Sequence, residues 1–387
     1  MEGDPAPGVA EPLAWGVVCP RAGQRDAGAR FAGLAAPQPA VRLGDRAVVL
    51  AGLVERGLLP ADGELRQALR APDLTALIEL GPSVWRELRG ALAGMLAEGV
   101  LEAASVALSA CDVLRPVRVV DYVDFYASRE HAENFGRIFR PGRPPLAEGW
   151  FALPVGYHGR SSTVLVSGTP VRRPRGQVAF GEYGPTRALD LECELGFVCG
   201  PSVDGPVSVD RAPEFLFGVV LVNDWSARDI QRLESVPLGP HQGKSFATSM
   251  SAWITPLDAV AGARVAPGPQ DPEPAVHLRA GSSEPWALDV ALEIELNGEV
   301  LSRPNASWLY WTPAQMLAQM TANGARLSAG DLFATGTVSG SQPGTEGSLA
   351  EIARGERWLA DGDEVVLRGV AAGVALGEVR GTIVAAG

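Results

Sequence analysis

Acidic side chains cluster in three stretches of this chain, and two of these stretches also contain histidine, arginine or lysine. The stretches are DYVDFYASREH at residues 121–131, LDLECELGF at 189–197, and VNDWSARDIQ at 222–231, which leads to GPHQGKS at 239–245. Their composition is compatible with a site in which several carboxylates hold a cation.

The second stretch has the alternation of a β-strand, which would place Asp190, Glu192 and Glu194 on one face. Residues two apart on such a face lie roughly 6.5–7 Å apart at Cα, so both glutamates could reach one cation. Glu293 and Glu295 repeat the same pattern and are interpreted as a solvated face. The period alone therefore does not distinguish a metal site from an exposed strand.

The first stretch combines three acids and two tyrosines with His131 and is followed by Arg140. It could equally be a loop that leads into a polar helix, with His131 on a solvated face. A further histidine, His158, lies in a glycine-flanked turn and is interpreted as structural.

The third stretch imitates a phosphate-binding loop but does not match one. Three residues separate Gly239 from Gly243, whereas a Walker A motif has four between its glycines. Neither a GxSxG elbow nor an HExxH motif is present, so the usual signatures of serine hydrolases and zincins are missing.

Local patterns predict many short strands and few helices. Strands are expected at residues 14–18 and 47–51, and a helix with Ser83 as N-cap is expected to bury one apolar face, formed by Val84, Leu88, Leu92, Met95 and Leu96.

Two further signals fall in the second half of the chain. Alternation from Val290 to Leu296 followed by Asn297-Gly298 predicts a hairpin with a type I′ turn. Thr312 followed by Pro313 predicts the start of a helix. Together these patterns indicate a β-rich roll or barrel.

Size and composition limit the classes of protein. A length of 387 residues favours two domains, placed at residues 1–113 and 114–387 where the pattern changes. The net charge of −12 argues against nucleic acid or an anionic membrane as partner. The absence of a signal peptide or a long apolar run predicts a cytoplasmic protein. Four cysteines without metal-like spacing are expected to be free thiols.

Long motifs in a fixed order carry a resemblance to a known family. They are DYVDFYASREHAENFGRIFR, LPVGYHGRSSTVLVSGTPVRRPRGQ, LDLECELGF, VNDWSARDIQ, VPLGP, GKSFATS and DGDEV. The chain resembles the fumarylacetoacetase family over nearly all of residues 114–387, and more weakly before that. The resemblance implies a mainly β fold, with a small N-terminal SH3-like domain and a larger C-terminal mixed β-roll, and a homodimer.

The resemblance also implies roles for individual residues. A divalent cation, calcium or magnesium, would be bound by Asp124, Glu192, Glu194 and Asp224, with Lys244 and Thr248 close to a magnesium position. His131 would be the general base on water, oriented by Glu351. The oxyanion would be received by Arg228, Gln231 and Lys244, and substrate would be contacted by Tyr126, Arg140, Tyr157, Gln231 and Thr337.

These residue types suit the hydrolysis of a β-diketone carbon–carbon bond, which needs hydroxide, oxyanion donors and a sink for the enolate. The implied reaction is the conversion of 4-fumarylacetoacetate to fumarate and acetoacetate. Alternatives are a hydrolase of acylpyruvates or other β-diketone acids, a related decarboxylase or isomerase, and a non-enzymatic metal-binding protein. Leu233, Ser235 and His241 depart from the family pattern, in which a tyrosine at position 235 is expected to hold substrate.

Overall fold

A computed structural model describes residues 12–21 and 36–387 of the chain. Its first part is a five-stranded antiparallel sheet with helices inserted between β3 and its edge strand β4. The strands, in the sheet order β4-β3-β2-β1-β5, are β1 (Trp15–Pro20), β2 (Gln38–Leu43), β3 (Arg46–Val49), β4 (Val106–Ala107) and β5 (Cys111–Leu114). The helices are α1 (Leu50–Glu55), α2 (Gly63–Ala68), α3 (Thr75–Glu79), α4 (Pro82–Ala97) and α5 (Val100–Ala104).

The larger second part is a mixed β structure. Its strands are β6 (Tyr122–Phe125), β7 (Gly156–His158), β8 (Val164–Val166), β9 (Val171–Arg172), β10 (Arg175–Ala179), β11 (Glu182–Pro185), β12 (Leu189–Asp190), β13 (Cys193–Cys199), β14 (Leu216–Asp224), β15 (Ser226–Ala227), β16 (Thr248–Met250), β17 (Thr255–Pro256), β18 (Arg264–Val265), β19 (Ala287–Leu288), β20 (Val290–Leu296), β21 (Glu299–Ser302), β22 (Leu332–Ala334), β23 (Glu364–Ala371) and β24 (Val374–Val384). The helices are α6 (Arg129–Phe139), α7 (Arg228–Glu234), α8 (Pro313–Thr321) and α9 (Leu349–Ile352).

Two sheets of this second part enclose its main core. One has eight strands, seven of them in the order β7-β6-β22-β13-β14-β16-β8, with β17 also paired to β14, and the other has the order β21-β20-β23-β24-β9. Apolar side chains such as Phe197, Leu221, Leu292 and Leu367 pack between them. The predicted order, a small β-domain before a larger mixed β-roll, is confirmed.

The small domain packs on the outer face of the eight-stranded sheet. Trp15, Leu77 and Leu92 share one buried cluster with Phe217 and Val220 of β14. Backbone hydrogen bonds between Trp15 and Ile254 join the two parts, at 2.8 and 2.7 Å. The small domain therefore packs against β14, the strand that ends at Asp224.

Local turn and cap signals were read correctly from the sequence. Asn297 and Gly298 have φ of 54° and 83° and join β20 to β21, as a type I′ turn requires. Thr312 caps α8 in a capping box with Gln315, and Pro313 is the first helical residue. All four cysteines are free. In the parts of the chain that the structure covers, no helix has the length and apolarity needed to cross a membrane.

Two predicted boundaries were wrong. The strand expected at residues 47–51 ends at Val49, and Leu50 and Ala51 begin α1. The helix expected to start at Ser83 has Pro82 as its first residue and Gly81 at φ 86° as its N-cap, because proline lacks an N–H and suits the first helical position. Leu88 and Leu92 are buried as predicted, together with Trp85.

Helix α6 lies so close to the loop at Pro145 that it needs glycine at position 136. A Cβ added to Gly136 would lie 2.1 Å from the Pro145 carbonyl oxygen, which is backbone and cannot rotate away. We expect Gly136→Ala to lower the free energy of unfolding by about 2 kcal/mol or more, measured by chemical denaturation.

Gly149→Ala is the matched control for this substitution, because a Cβ there meets nothing within 4 Å. Equal stability of the two variants would contradict the close packing of α6 on this loop.

Candidate active site

Four buried carboxylates meet in the larger domain. Asp124 lies on β6, Glu194 on β13, Asp224 at the end of β14, and Glu192 in a bridge with Ser348 just before β13. One oxygen atom of each carboxylate lies within 4.8 Å of one oxygen of every other. The four acids that the sequence predicted as cation ligands are therefore brought together.

The polar atoms of this cluster fit a hard divalent cation. Asp124 Oδ1 and both carboxylate oxygens of Glu194 are buried without a hydrogen-bond partner. Burial and the neighbouring carboxylates raise the pKa of Asp124 and of Glu194 well above the ordinary value. Buried carboxylates without partners are unfavourable, and an all-oxygen donor set is the kind that calcium and magnesium prefer.

Three side chains converge on Asp224. Lys244 Nζ lies 2.6 Å from Asp224 Oδ2 and also contacts Glu192. Thr248 Oγ1 donates to Asp224 Oδ1 at 2.6 Å, and the Tyr157 hydroxyl donates to Oδ2 at 2.5 Å. An ammonium group has no lone pair, so Lys244 partly neutralises the carboxylates and cannot itself ligate a cation.

Arg228, the first residue of α7, connects the cluster to a further acid. Its guanidinium donates to Asp190 Oδ2 at 2.8 and 2.6 Å, to Glu192 Oε1 at 2.7 Å and to Gln231 Oε1 at 2.9 Å. Burial raises the pKa of Glu192, but the charges of Arg228 and Lys244 outweigh burial and hold that pKa below its ordinary value. Glu192 is thereby kept ionised beside the other carboxylates.

His131 forms a buried pair with Glu351. Ser128 caps α6 by accepting from the His131 amide, and this cap places His131 in the first turn of the helix. His131 Nδ1 lies 2.7 Å from Glu351 Oε2, and the other nitrogen, Nε2, lies 3.7 Å from Glu192 Oε1. A proton held on Nδ1 by the carboxylate leaves the Nε2 lone pair facing the acidic cluster.

The Glu351 carboxylate is itself held by three donors. Asn134 Nδ2 donates to one oxygen at 2.9 Å, and the hydroxyls of Ser339 and Ser348 donate to the other at 3.0 and 2.8 Å. Although burial raises the pKa of Glu351, the contact with the His131 imidazole and these hydrogen bonds outweigh burial and lower it. The carboxylate is therefore fixed as an anion that can orient the imidazole.

The remaining predicted residues lie at different places around this centre. The Tyr126 ring meets the His131 ring edge-on at 5.2 Å, and Gln231 contacts Arg228 as described. Thr337 is buried, and its hydroxyl has no hydrogen-bond partner. Arg140 is exposed at the end of α6, where its guanidinium donates to the Pro145 carbonyl at 2.8 Å. His158 was predicted to be structural in a turn, but it lies at the end of β7 with its side chain 80% exposed, outside the centre.

Sequence reasoning missed the residues that form hydrogen bonds with the functional side chains and hold them in place. Asp190 was placed on the acidic strand face but given no role, and yet it binds Arg228 and accepts from the Ala350 amide at 3.0 Å. The strand itself is interrupted, since β12 ends at Asp190 and β13 begins at Cys193. Asn134 follows His131 by three residues on α6, and that helical spacing was the available signal.

Comparisons with known proteins match nearly the whole chain to one family. The family described as "Fumarylacetoacetate (FAA) hydrolase C-terminal" matches residues 122–384, and "Fumarylacetoacetase N-terminal" matches residues 29–120. The chain is 36% identical to the fumarylacetoacetase of Homo sapiens, covering 90% of this chain and 92% of that protein. It is 38% identical to the fumarylacetoacetase of Oryza sativa subsp. japonica, covering 86% and 85%.

Among solved structures, the fumarylacetoacetate hydrolase of Exiguobacterium antarcticum shares the fold. It aligns with a TM-score of 0.59 and 17% identity, covering 96% of this chain and 99% of that one. Fold, site and relatives together define the class of protein as a hydrolase of carbon–carbon bonds. More narrowly, the chain belongs to the fumarylacetoacetase family.

Proposed function

We propose that this chain hydrolyses 4-fumarylacetoacetate to fumarate and acetoacetate, with His131 as the base that activates water. The observation that carries the proposal is the buried His131–Glu351 pair, whose free Nε2 faces four clustered carboxylates. A site that only binds a cation would need neither a base nor the donors of Arg228 and Lys244.

In the proposed reaction, His131 Nε2 takes a proton from a water molecule while the water oxygen attacks the fumaryl carbonyl carbon. Glu351 accepts the hydrogen bond from His131 Nδ1–H and stabilises the imidazolium that forms. Arg228, Gln231 and Lys244 supply N–H donors to the resulting oxyanion. When the carbon–carbon bond breaks, fumarate keeps the water oxygen, and the departing carbanion of acetoacetate receives the proton from His131.

The proposed cation is calcium or magnesium, held by Asp124, Glu192, Glu194 and Asp224 with Lys244 and Thr248 beside them. When bound, it would supply Lewis acidity to the substrate oxygens and stabilise the negative charge of the leaving enolate. The support is the all-oxygen donor set and its unpartnered buried atoms.

Substrate contacts are proposed for Tyr126, Arg140, Tyr157, Gln231 and Thr337. The family's tyrosine is replaced by Ser235, whose hydroxyl donates to the Gln231 carbonyl at 2.5 Å on its own helix. Leu233 and His241 are both exposed. These departures from the family pattern are the reason to include acylpyruvates and other diketone acids as a second substrate class.

We also propose a homodimer, from the family resemblance, that is located in the cytoplasm and has domains at residues 1–113 and 114–387. The acidic net charge of −12 supports small-molecule substrates in preference to nucleic acid or an anionic membrane as partner.

A product assay tests the proposed function. Purified protein with calcium or magnesium is given fumarylacetoacetate or an acylpyruvate, and fumarate, pyruvate and acetoacetate are quantified. We expect equimolar fumarate and acetoacetate, with a higher kcat/KM than for the acylpyruvate. Cation binding without any carbon–carbon cleavage, or isomerisation alone, would contradict the proposal.

Replacing Glu351 by glutamine tests its role. The glutamine amide would donate to Nδ1 and place the histidine proton on Nε2, so we expect kcat to fall by about 10²-fold or more. Glu356→Gln, at an exposed position of the same segment, should leave kcat unchanged. Equal activity of both variants would show that Glu351 does not orient the base.

A further inference from the structure

The carboxylate of Glu234, the last residue of α7, is bound by three consecutive backbone amides. Oε1 accepts from the amides of His241 at 2.8 Å and Gly243 at 2.7 Å, and Oε2 accepts from Gln242 at 3.0 Å. We propose that Glu234 is a positioning residue that sets Lys244 against the carboxylate cluster. The inference rests on the proposed function where it treats Lys244 as an oxyanion donor.

An acid at the end of α7 is in an unfavourable place, because the helix dipole puts partial negative charge at that end. The three amides offset this, since hydrogen bonds to an ionised acceptor are stronger than neutral ones. Successive N–H groups that point at one anion also form a concave binding site. The carboxylate is therefore bound by the loop at residues 241–243.

The hydrophobic effect does not hold the preceding part of this loop. Val236 is 87% exposed and Leu238 is 96% exposed, so neither anchors the chain by burial. Beyond them the backbone is tightly placed, because a Cβ on Gly243 would lie 2.7 Å from the Gln231 backbone nitrogen. The Gly243 carbonyl accepts from the Ala227 amide at 2.8 Å. The chain is thus fixed by polar contacts immediately before Lys244.

Helix α7 carries two of the three proposed oxyanion donors, Arg228 and Gln231, and Lys244 is the third. Arg228 and Gln231 are fixed by the helix, whereas Lys244 arrives from the loop and lies 2.6 Å from Asp224. Glu234 joins the loop to the same helix. Its carboxylate therefore keeps Lys244 in a fixed position relative to Arg228 and Gln231.

A double-mutant cycle distinguishes positioning from a general structural role. We expect Glu234→Ala to lower kcat about 10- to 100-fold with KM changed less than about threefold, since one oxyanion donor is displaced. Glu234→Gln should recover most of the loss, because its amide oxygen can still accept from His241 and Gly243. In a Lys244→Met background, Glu234→Ala should change kcat less than about threefold, since coupled sites are not additive.

Glu299→Ala, at an exposed position on β21, is the matched control and should leave kcat unchanged in both backgrounds. If Glu234→Ala lowers kcat by the same factor with and without Lys244, the positioning role is overturned.

Amide hydrogen exchange separates this inference from the proposed function. In cation-loaded protein, Glu234→Ala should speed exchange at residues 241–243 at least about tenfold, whatever the substrate is. Faster exchange in a protein that makes no fumarate would support the contact while the proposed function fails. Unchanged exchange in an active enzyme would overturn the contact itself.

Discussion

We expect His131→Ala to lower kcat for fumarylacetoacetate by about 10²- to 10⁴-fold, the range typical of the loss of a general base. The reason is geometric: Nδ1 is committed to Glu351 at 2.7 Å, so only Nε2 is left to take the proton from water. The imidazole is 2% exposed, so bulk water cannot readily replace it. Steady-state kinetics at saturating cation measure the effect.

His158→Ala is the control for this result, because that imidazole is 80% exposed and lies outside the centre. It should keep wild-type kcat. Cation affinity should change little in His131→Ala, since the four clustered carboxylates remain. A His131→Ala variant that retains more than a tenth of wild-type kcat would contradict the assignment of the base.

We expect removal of the cation with a chelator to abolish turnover and to make the free energy of unfolding depend on pH. Burial and neighbouring carboxylates raise the folded-state pKa of Asp124 and Glu194. Between the ordinary carboxyl pKa of about 4 and the raised folded values, the folded protein binds more protons than the unfolded chain. The free energy of unfolding of the metal-free protein therefore falls as pH rises through this window.

Calcium or magnesium should restore the free energy of unfolding, because the bound cation neutralises the carboxylates of Asp124 and Glu194 in place of protons. At a cation concentration of about 100 times Kd, the gain is roughly 2.7 kcal/mol, seen as a higher Tm. Thermal melts from pH 5 to pH 8, with chelator and with cation, measure it. Glu194→Gln should remove most of the response to cation and flatten the pH dependence of the metal-free protein.

Glu293→Gln is the matched control for Glu194→Gln. Glu293 stands in the similar sequence LEIEL, but it lies on a half-exposed strand face and pairs with Arg303. It should leave both the cation response and the pH dependence unchanged. A metal-free protein whose Tm is constant or rises over this pH range would contradict the account of the cluster.

This pair of glutamates also shows what the local sequence could not reveal. Glu194 and Glu293 both alternate with apolar residues, but β13 lies between β14 and β22 inside the eight-stranded sheet, where both of its faces are buried. The strand period fixes which residues share a face, and only tertiary packing decides whether that face meets water. The resemblance to the family supplied the distinction that the period lacks.

Features set by a few neighbouring residues were predicted well. The turn at Asn297-Gly298 and the cap at Thr312 follow from local backbone chemistry, and both are present. The prediction that the strand continues through Leu50 was wrong, because an apolar run of that length suits a buried helix equally well. Asp190 could not be given its role beforehand, because Arg228 lies 38 positions away and meets it only through the fold.

Turnover in ¹⁸O-enriched water tests the central claim most directly. Attack of His131-activated water on the fumaryl carbonyl predicts one solvent ¹⁸O in the new carboxylate of each fumarate, with acetoacetate formed in equal amount. Mass spectrometry of the products reads this out, with His131→Ala as the inactive reference. Fumarate without solvent oxygen, or a product that keeps all the carbons of the substrate, would contradict hydrolysis at this site.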